Sequence, residues 1–261
     1  MVHDRYGDIS LSVHGHVAVL EIDRPPHNHV NVPLVRDLAD AFAHLDQMTE
    51  IRAVVLQTAG KNFCAGADLE NENVLAPEST VDGGNPLYAH AVRLFSNKKP
   101  IVMAIQGAVV GAGLGLALVA DFRIASPDVR FAANFVKLGF HPGFGITHTL
   151  PRLIGERRAA LLTLTGRRIK AEEALAWGLI DDVVPSEELR ATALGLASEI
   201  AENAPLAVQS TRATFREGLA EAVKAQTDIE YGEQEWLRKT TDFTEGLRAV
   251  SERRAGVFTA T

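Results

Sequence analysis

The pattern of hydrophobic and polar positions predicts an N-terminal hairpin, followed by strands and helices in turn. In residues 9–22 apolar and polar side chains alternate on both sides of His14-Gly15, which is typical of two antiparallel strands. Short apolar runs predict strands at 53–57, 101–105 and 122–125, and helical spacing predicts helices at 32–48, 86–97 and 113–120. This order indicates a mostly parallel sheet with helices on its faces.

The strand pattern fades after about Gly145. Amphipathic helical stretches follow at 187–203, 205–218, 221–239 and 242–254, and the polar stretch 71–85, rich in proline and glycine, predicts a loop. No change of composition marks a linker. The predicted fold class is α/β, with a core over residues 1–200 and an all-helical C-terminal part over residues 201–261.

Composition places the chain among ordinary globular proteins. It has 261 residues, of which 46% are hydrophobic and 23% charged, enough for a sizeable core without disulfides or metals. One cysteine, Cys64, and an N-terminus without a signal-peptide pattern predict a cytoplasmic location. The net charge of −7 argues against a nucleic-acid partner, because binding phosphates requires a basic surface.

Residues 101–120 carry no charge, and this run is as long as a membrane-spanning helix. Glycines at 107, 111, 113 and 115 interrupt this run, and glycine at this density marks close approach of backbones. We therefore predict a buried strand, a turn and a helix start, and no membrane partner.

Two segments share one plan, namely VVLQTAGKNFCAGADL (54–69) and IVMAIQGAVVGAGLGLAL (101–118). Each is a buried strand, a glycine turn and an entry into a helix rich in alanine and glycine. The first N–H groups of a helix lack internal partners, so two such entries could present two backbone donors to one oxygen, as an oxyanion hole does. The alternative is two tight turns that need small residues only for packing.

Common cofactor and catalytic motifs are not found in the sequence. Glycines 111, 113 and 115 do not complete G-x-G-x-x-G, because residue 116 is leucine. The sequence has no phosphate-loop motif, no H-E-x-x-H and no G-x-S-x-G, and His141, His148 and Cys64 lack zinc-ligand spacing. No metal and no permanently bound cofactor is predicted.

Several blocks, in order, resemble the crotonase (enoyl-CoA hydratase/isomerase) superfamily. They include VLEIDRP (19–25), KNFCAGADL (61–69), KKPIVMAIQGAVVGAGLGLALVADFRIAS (98–126) and LTGRRIKAEEALAWGLIDDVVP (164–185). The resemblance implies a crotonase-like spiral of ββα turns over residues 1–200 that binds acyl-coenzyme A, with coenzyme A present as part of the substrate. It implies that residues 201–261 serve oligomerisation, as a homotrimer or homohexamer. Trp236, Phe243 and Leu247 lie on apolar faces of the predicted helices there, and we expect these faces to pack partly against other subunits.

The same resemblance assigns roles to single residues. It places the two oxyanion-hole N–H groups at Ala67 and Ala112. Coenzyme A contacts are expected from Arg24, Ala65, Asp68, Leu69 and Arg253, with Arg253 reaching the phosphates of a neighbouring subunit's ligand or lying as an exposed helix charge.

Departures from the family pattern concern the acid/base groups. The two glutamates of typical hydratases correspond to Gly115 and Phe135, and the carboxylate that isomerases often carry corresponds to Gly143. These residues predict a drier acyl pocket without the usual proton shuttle.

Other side chains near these positions are candidates to replace the missing acids. His141 could transfer protons, since an imidazole titrates near neutral pH, or it could only hold its turn. Tyr88 and His90, on the helix that precedes residue 101, are further acyl-pocket candidates, and Cys64 is a buried packing residue or a nucleophile. Two functions stay open: an acyl-CoA enzyme of the hydratase/isomerase type with non-standard catalytic residues, and a catalytically silent acyl-CoA-binding protein.

Overall fold

The computed structural model describes residues 4–67 and 85–261. Its strands are β1 (Arg5–Tyr6), β2 (Ile9–His14), β3 (Val17–Ile22), β4 (Ala53–Thr58), β5 (Ile101–Ile105), β6 (Ala108–Val110), β7 (Phe122–Ala125), β8 (Arg130–Ala132), β9 (Arg168–Lys170) and β10 (Asp182–Val183). Its helices are α1 (Val32–Gln47), α2 (Pro86–Phe95), α3 (Ala112–Ala117), α4 (Ile146–Ile154), α5 (Glu156–Thr165), α6 (Ala171–Trp177), α7 (Leu189–Ala201), α8 (Pro205–Phe215), α9 (Leu219–Leu237) and α10 (Thr241–Ser251), with a 3-10 helix at Asn134–Leu138.

The strands form two sheets, and successive units of the chain contribute to both. The larger sheet has the order β1-β2-β3-β4-β5-β7-β10, and the smaller one has the order β6-β8-β9. Strands β5 and β6 lead into α3, and β7 and β8 lead into the 3-10 helix, so each unit places one strand in each sheet. The β2–β3 hairpin is antiparallel, and β3, β4, β5, β7 and β10 are parallel. The predicted hairpin and parallel sheet are confirmed.

Both faces of the larger sheet are buried. Side chains of β4 alternate between the two faces: Leu56 lies in the larger core with α1 and α2, whereas Val55 packs against α7. This burial on both faces explains why the central strands are continuous apolar runs in the sequence.

The uncharged run 101–120 is a strand, a turn, a second strand and a helix. Gly107 has φ 61° between β5 and β6, and a β-carbon there would overlap the carbonyl oxygen of Lys61. Only glycine fits this close approach. Within residues 4–67 and 85–261, no helix is long and apolar enough to cross a membrane.

Some boundaries and short strands differ from the prediction. Strands β6, β8, β9 and β10 have two or three residues each, and such segments are too short to carry a periodic pattern. Strands β9 and β10 therefore lie in the region after Gly145 where the strand pattern fades in the sequence. The four C-terminal helices are present as α7 to α10. Of the predicted loop 71–85, only Asn85 is described, and its side chain caps α2 by accepting from the Leu87 N–H at 2.8 Å.

Candidate functional site

The first glycine turn, at residues 64–67, is held between two neighbouring segments. On one side the Ala65 N–H donates to the His27 carbonyl at 3.0 Å, and the Val30 N–H donates to the Gly66 carbonyl at 2.8 Å. On the other side Cys64 pairs with strand β6 through bonds of 2.9 and 3.0 Å. These contacts fix the backbone just before Ala67.

The second turn leads from β6 into α3 and touches the first. Gly111 has φ 55°, which favours glycine, and its N–H donates to the Ala132 carbonyl at 2.9 Å. A β-carbon on Gly113 would lie 2.5 Å from the Cys64 carbonyl oxygen. Glycine at 113 therefore lets the first turn of α3 pack directly on the first glycine turn.

Two residues with backbone donors, Ala67 and Ala112, line one cavity where these turns meet. Ala67 follows the first turn, and Ala112 is the first residue of α3, where an N–H has no partner inside the helix. Neither N–H donates to any acceptor among the residues that the structure describes. Both residues line a cavity of about 620 Å³. Two unfilled donors at one cavity wall can receive an oxygen that carries negative charge.

The cavity wall includes seven of the predicted site residues, which are Arg24, Ala65, Ala67, Tyr88, Ala112, Phe135 and Gly143. Four others, His90, Gly115, His141 and Arg253, are not part of the wall. Asp68 and Leu69 lie outside the described residues. The side chains that line the cavity within residues 4–67 and 85–261 include no carboxylate.

Phe144 lies against Gly115, which was expected to line the cavity. A β-carbon on Gly115 would lie 2.6 Å from the Phe144 β-carbon, and Phe144 itself is part of the cavity wall. The expectation that Gly115 lines the acyl pocket directly is therefore wrong, because the Phe144 side chain covers it. With Phe135 also in the wall, this side of the cavity is apolar.

Tyr88 connects the cavity wall to the turn at 141–143. Its hydroxyl donates to Gln234 Oε1 at 2.7 Å, and Gln234 Nε2 donates to the carbonyls of His141 at 2.9 Å and Pro142 at 3.3 Å. A β-carbon on Gly143 would overlap the Tyr88 hydroxyl. Burial, with the charge of Glu230 as a smaller cause, raises the pKa of Tyr88 far above its usual range, so the hydroxyl stays protonated and keeps its donor role.

His141 and His90 are both engaged outside the cavity. The Nδ1 of His141 donates to the Pro142 carbonyl at 2.8 Å, which is the turn-holding contact that the sequence left open as an alternative. His90 lies on α2 with its Nδ1 3.2 Å from Arg93. Burial and the neighbouring Arg93 charge lower the pKa of His90.

The comparisons with known proteins agree with this architecture. A family model described as enoyl-CoA hydratase/isomerase matches residues 12–261. The chain belongs to that family, within the crotonase superfamily. The crystal structure of an enoyl-CoA hydratase/isomerase from Pseudoalteromonas atlantica superposes with a TM-score of 0.87 at 31% identity, covering 97% of this chain and 100% of the other. The predicted crotonase-like fold is confirmed.

Relatives in the enoyl-CoA hydratase/isomerase family differ in their named reactions. One from Thauera aromatica, named (E)-benzylidenesuccinyl-CoA hydratase, is 36% identical over 257 residues, which span 96% of this chain and 98% of its own. One from Escherichia coli, named 1,2-epoxyphenylacetyl-CoA isomerase, is 33% identical over 251 residues, with coverage of 93% and 95%. Similarity at this level therefore supports acyl-CoA chemistry of this family and leaves the reaction open.

Sequence reasoning missed two polar residues of α9 in this family member. Gln234 holds Tyr88, as described above. Glu230, one helical turn earlier, is fully buried and accepts bonds from the Gly145 N–H at 2.7 Å, the Thr147 N–H at 2.9 Å and the Thr147 hydroxyl at 2.6 Å. The sequence does show that Glu230 and Gln234 are four residues apart, which places both on one face of the helix and toward the same neighbour.

Cys64 packs and does not have the properties of a nucleophile. Burial raises the pKa of its thiol to about 11, whereas reactive cysteines have lowered values. Of the two roles considered for it, the structure shows the packing contacts, against Gly113 and Gly66.

Proposed function

We propose that this protein is an acyl-CoA enzyme that stabilises negative charge on a thioester carbonyl with the N–H groups of Ala67 and Ala112. The observation that carries the proposal is the pair of donors, unfilled among the described residues, at the wall of one cavity. Proton removal next to a thioester, or addition to a conjugated double bond, places negative charge on that oxygen. Two fixed donors aimed at it can supply several kcal/mol, and about 3–4 kcal/mol for one donor has precedent.

The proposed coenzyme A path runs from the carbonyl toward Ala65 and Arg24, which share the cavity wall with Ala67. Arg24 Nη1 donates to the His29 carbonyl at 2.7 Å, and its Nε lies 3.4 Å from Asp8, so its charge is fixed at this end of the cavity. The roles of Asp68, Leu69 and Arg253 in holding coenzyme A stay predictions, as does a cytoplasmic location.

The acid/base groups are proposed to be non-standard, because the positions of the hydratase glutamate pair carry Gly115 and Phe135. A catalytically silent acyl-CoA binder is the second candidate, and the absence of carboxylates at these positions favours it.

One experiment separates the enzyme from the silent binder. The protein is incubated with a panel of acyl- and enoyl-CoA thioesters, products are followed by mass spectrometry, and binding is measured by calorimetry. Turnover of any member supports the enzyme; binding without turnover across the panel supports the silent binder; neither binding nor turnover contradicts both.

His141→Ala is expected to leave turnover within about threefold of wild type, and Tyr88→Phe is expected to lower it by about tenfold. The reason is that the hydrogen bond of the His141 imidazole goes to the Pro142 carbonyl of its own turn, whereas the Tyr88 hydroxyl holds Gln234, which in turn bonds the 141–143 turn beside the cavity. The measurement is kcat and KM on a thioester that the wild type turns over. If His141→Ala loses most of its turnover and Tyr88→Phe keeps the wild-type rate, the result would indicate that His141 transfers a proton in the reaction.

The C-terminal helices are proposed to form a homotrimer or homohexamer. Leu206 and Phe215 of α8 are 80% and 77% exposed, and Trp236 of α9 is 55% exposed, and contact with other subunits would cover these apolar side chains. Phe243 and Leu247 do not belong to this surface: Phe243 is buried against Phe140, and Leu247 lines the cavity. Phe243 therefore packs within its own chain, and a contact of Leu247 with other subunits stays a prediction.

Light scattering should give three or six times the mass of one chain, and Leu206→Glu with Phe215→Glu should shift the protein toward smaller species, because both changes place charge on the apolar surface. A stable monomer of the unmodified protein at working concentration would refute the assembly and, with it, the role of Arg253 toward a neighbouring subunit.

A further inference from the structure

We infer that His29 is a positioning residue that orients and polarises one of the two proposed oxyanion donors. The inference rests on the proposed function, because it assigns a role to His29 through Ala67. It concerns a side chain in the cavity wall that neither the sequence patterns nor the family pattern singled out.

The carbonyl oxygen of Gly66 receives more than one hydrogen bond. It accepts from the Val30 N–H at 2.8 Å and from His29 Nδ1 at 3.2 Å, and the Cys64 thiol lies 3.6 Å away. A carbonyl can only accept, so Nδ1 of His29 carries the proton in this contact. The same peptide unit ends in the Ala67 N–H.

The peptide plane couples the two ends of this unit. Because a peptide bond is planar, fixing the direction of the Gly66 carbonyl also fixes the direction of the Ala67 N–H. Gly66 has φ 113°, and glycine imposes little restriction on how the adjoining peptide turns. The bonds from Val30 and His29 therefore supply the restraint that the Gly66 backbone lacks.

Donation to the carbonyl also strengthens the donor at the other end. Hydrogen bonds in a chain polarise one another, by roughly 10–30% per bond. A proton shared by His29 with the Gly66 oxygen therefore increases the positive charge on the Ala67 N–H, which faces the place where negative charge develops in the proposed reaction.

His29 is itself held in place on both sides. Its backbone carbonyl accepts from Arg24 Nη1 at 2.7 Å, and its ring packs edge-on against His27 with centroids 5.4 Å apart. The side chain is half-buried. These contacts fix the ring at the cavity wall, where its Nδ1 meets Gly66.

Two substitutions and a control test this role. His29→Leu removes the donor at similar size, and His29→Asn restores a donor, since an asparagine Nδ2 occupies nearly the same position as a histidine Nδ1. His14→Leu, at an exposed hairpin position that is not part of the cavity wall, is the matched control. The readouts are kcat and KM on a thioester that the wild type turns over, and the carbonyl stretching frequency of a bound, non-reactive acyl-CoA labelled with ¹³C at the thioester. Thermal melting confirms that each variant is folded.

We expect His29→Leu to lower kcat about 5- to 30-fold with KM within about threefold. The bound carbonyl frequency should move toward its value in solution. His29→Asn should recover most of both effects, and His14→Leu should match the wild type.

An unchanged kcat and carbonyl frequency in His29→Leu would overturn the inference, as would a loss confined to KM, which would mark a coenzyme A contact instead. If the wild type neither turns over a thioester nor shifts the carbonyl frequency on binding, the proposed function fails, and the inference fails with it. A shifted carbonyl in wild type that His29→Leu leaves unchanged overturns the role of His29 alone.

Discussion

Crotonyl-CoA hydration by the wild-type protein is expected to be slower by at least about 10²-fold than turnover of its preferred thioester. The proposed function assigns the positions of the glutamate pair to Gly115 and Phe135, and neither of these side chains can activate water. A general acid or base contributes about 10²–10⁴-fold, so an enzyme without both should show little of this activity. The measurement is kcat/KM from the loss of absorbance of the conjugated thioester, compared with the best substrate of the panel.

Restoring the acids separately tests the reason for this prediction. Phe135→Glu places a carboxylate in the cavity wall, whereas Gly115→Glu would force its β-carbon to within 2.6 Å of Phe144. Overpacking of this kind costs typically 1–3 kcal/mol. Gly115→Glu should therefore destabilise the protein without adding hydration activity. Brisk crotonyl-CoA hydration by the wild type would contradict the account of the acid/base groups.

Asp121→Ala is expected to lower the free energy of unfolding by about 3–5 kcal/mol. Asp121 Oδ2 accepts from Arg212 Nε and from the Ile101 N–H, each at 2.8 Å, and Oδ1 lies 3.4 Å from Arg216. Both guanidinium groups are largely buried, and burial, with the neighbouring Arg212 charge, lowers the pKa of Arg216 to about 10. Removing the shared carboxylate leaves two buried positive charges side by side.

The measurement is urea unfolding at neutral pH, with Asp228→Ala as the matched control. Asp228 pairs with Lys224 at 2.8 Å, and both side chains are more than 60% exposed. Such surface pairs contribute about 0–1 kcal/mol. A loss in Asp121→Ala no larger than that in Asp228→Ala would show that the buried cluster does not hold α8 to the core.

The sequence was sufficient to predict those strands and helices that are long enough for their pattern of hydrophobic positions to be recognised. The hairpin around His14-Gly15, helix α1 and strand β5 lie where the pattern placed them, because side-chain alternation, helical spacing or an apolar run extends over five or more residues. The second sheet was not predicted. Its strands have three residues each, and a tight turn at Gly107 takes the chain from β5 in the larger sheet to β6 in the smaller one.

The part of the candidate site that is formed by backbone motifs could be predicted from the sequence. The part that is formed by side chains distant in the sequence could not. The two glycine turns are visible in the sequence, and the family resemblance assigns the two donors to Ala67 and Ala112. Tyr88 and Gln234 are 146 residues apart, and only the folded chain shows that α9 reaches the cavity. His29 was missed because its role depends on the course of the backbone at Gly66, which no local pattern reports.

The most direct test of the proposed site is a crystal structure of the wild-type protein with a non-reactive acyl-CoA. The account predicts that the backbone nitrogens of Ala67 and Ala112 both lie within about 3.2 Å of the thioester carbonyl oxygen, with the acyl group against Phe135 and Phe144. A bound thioester whose carbonyl oxygen lies well beyond hydrogen-bond distance from either nitrogen would contradict it.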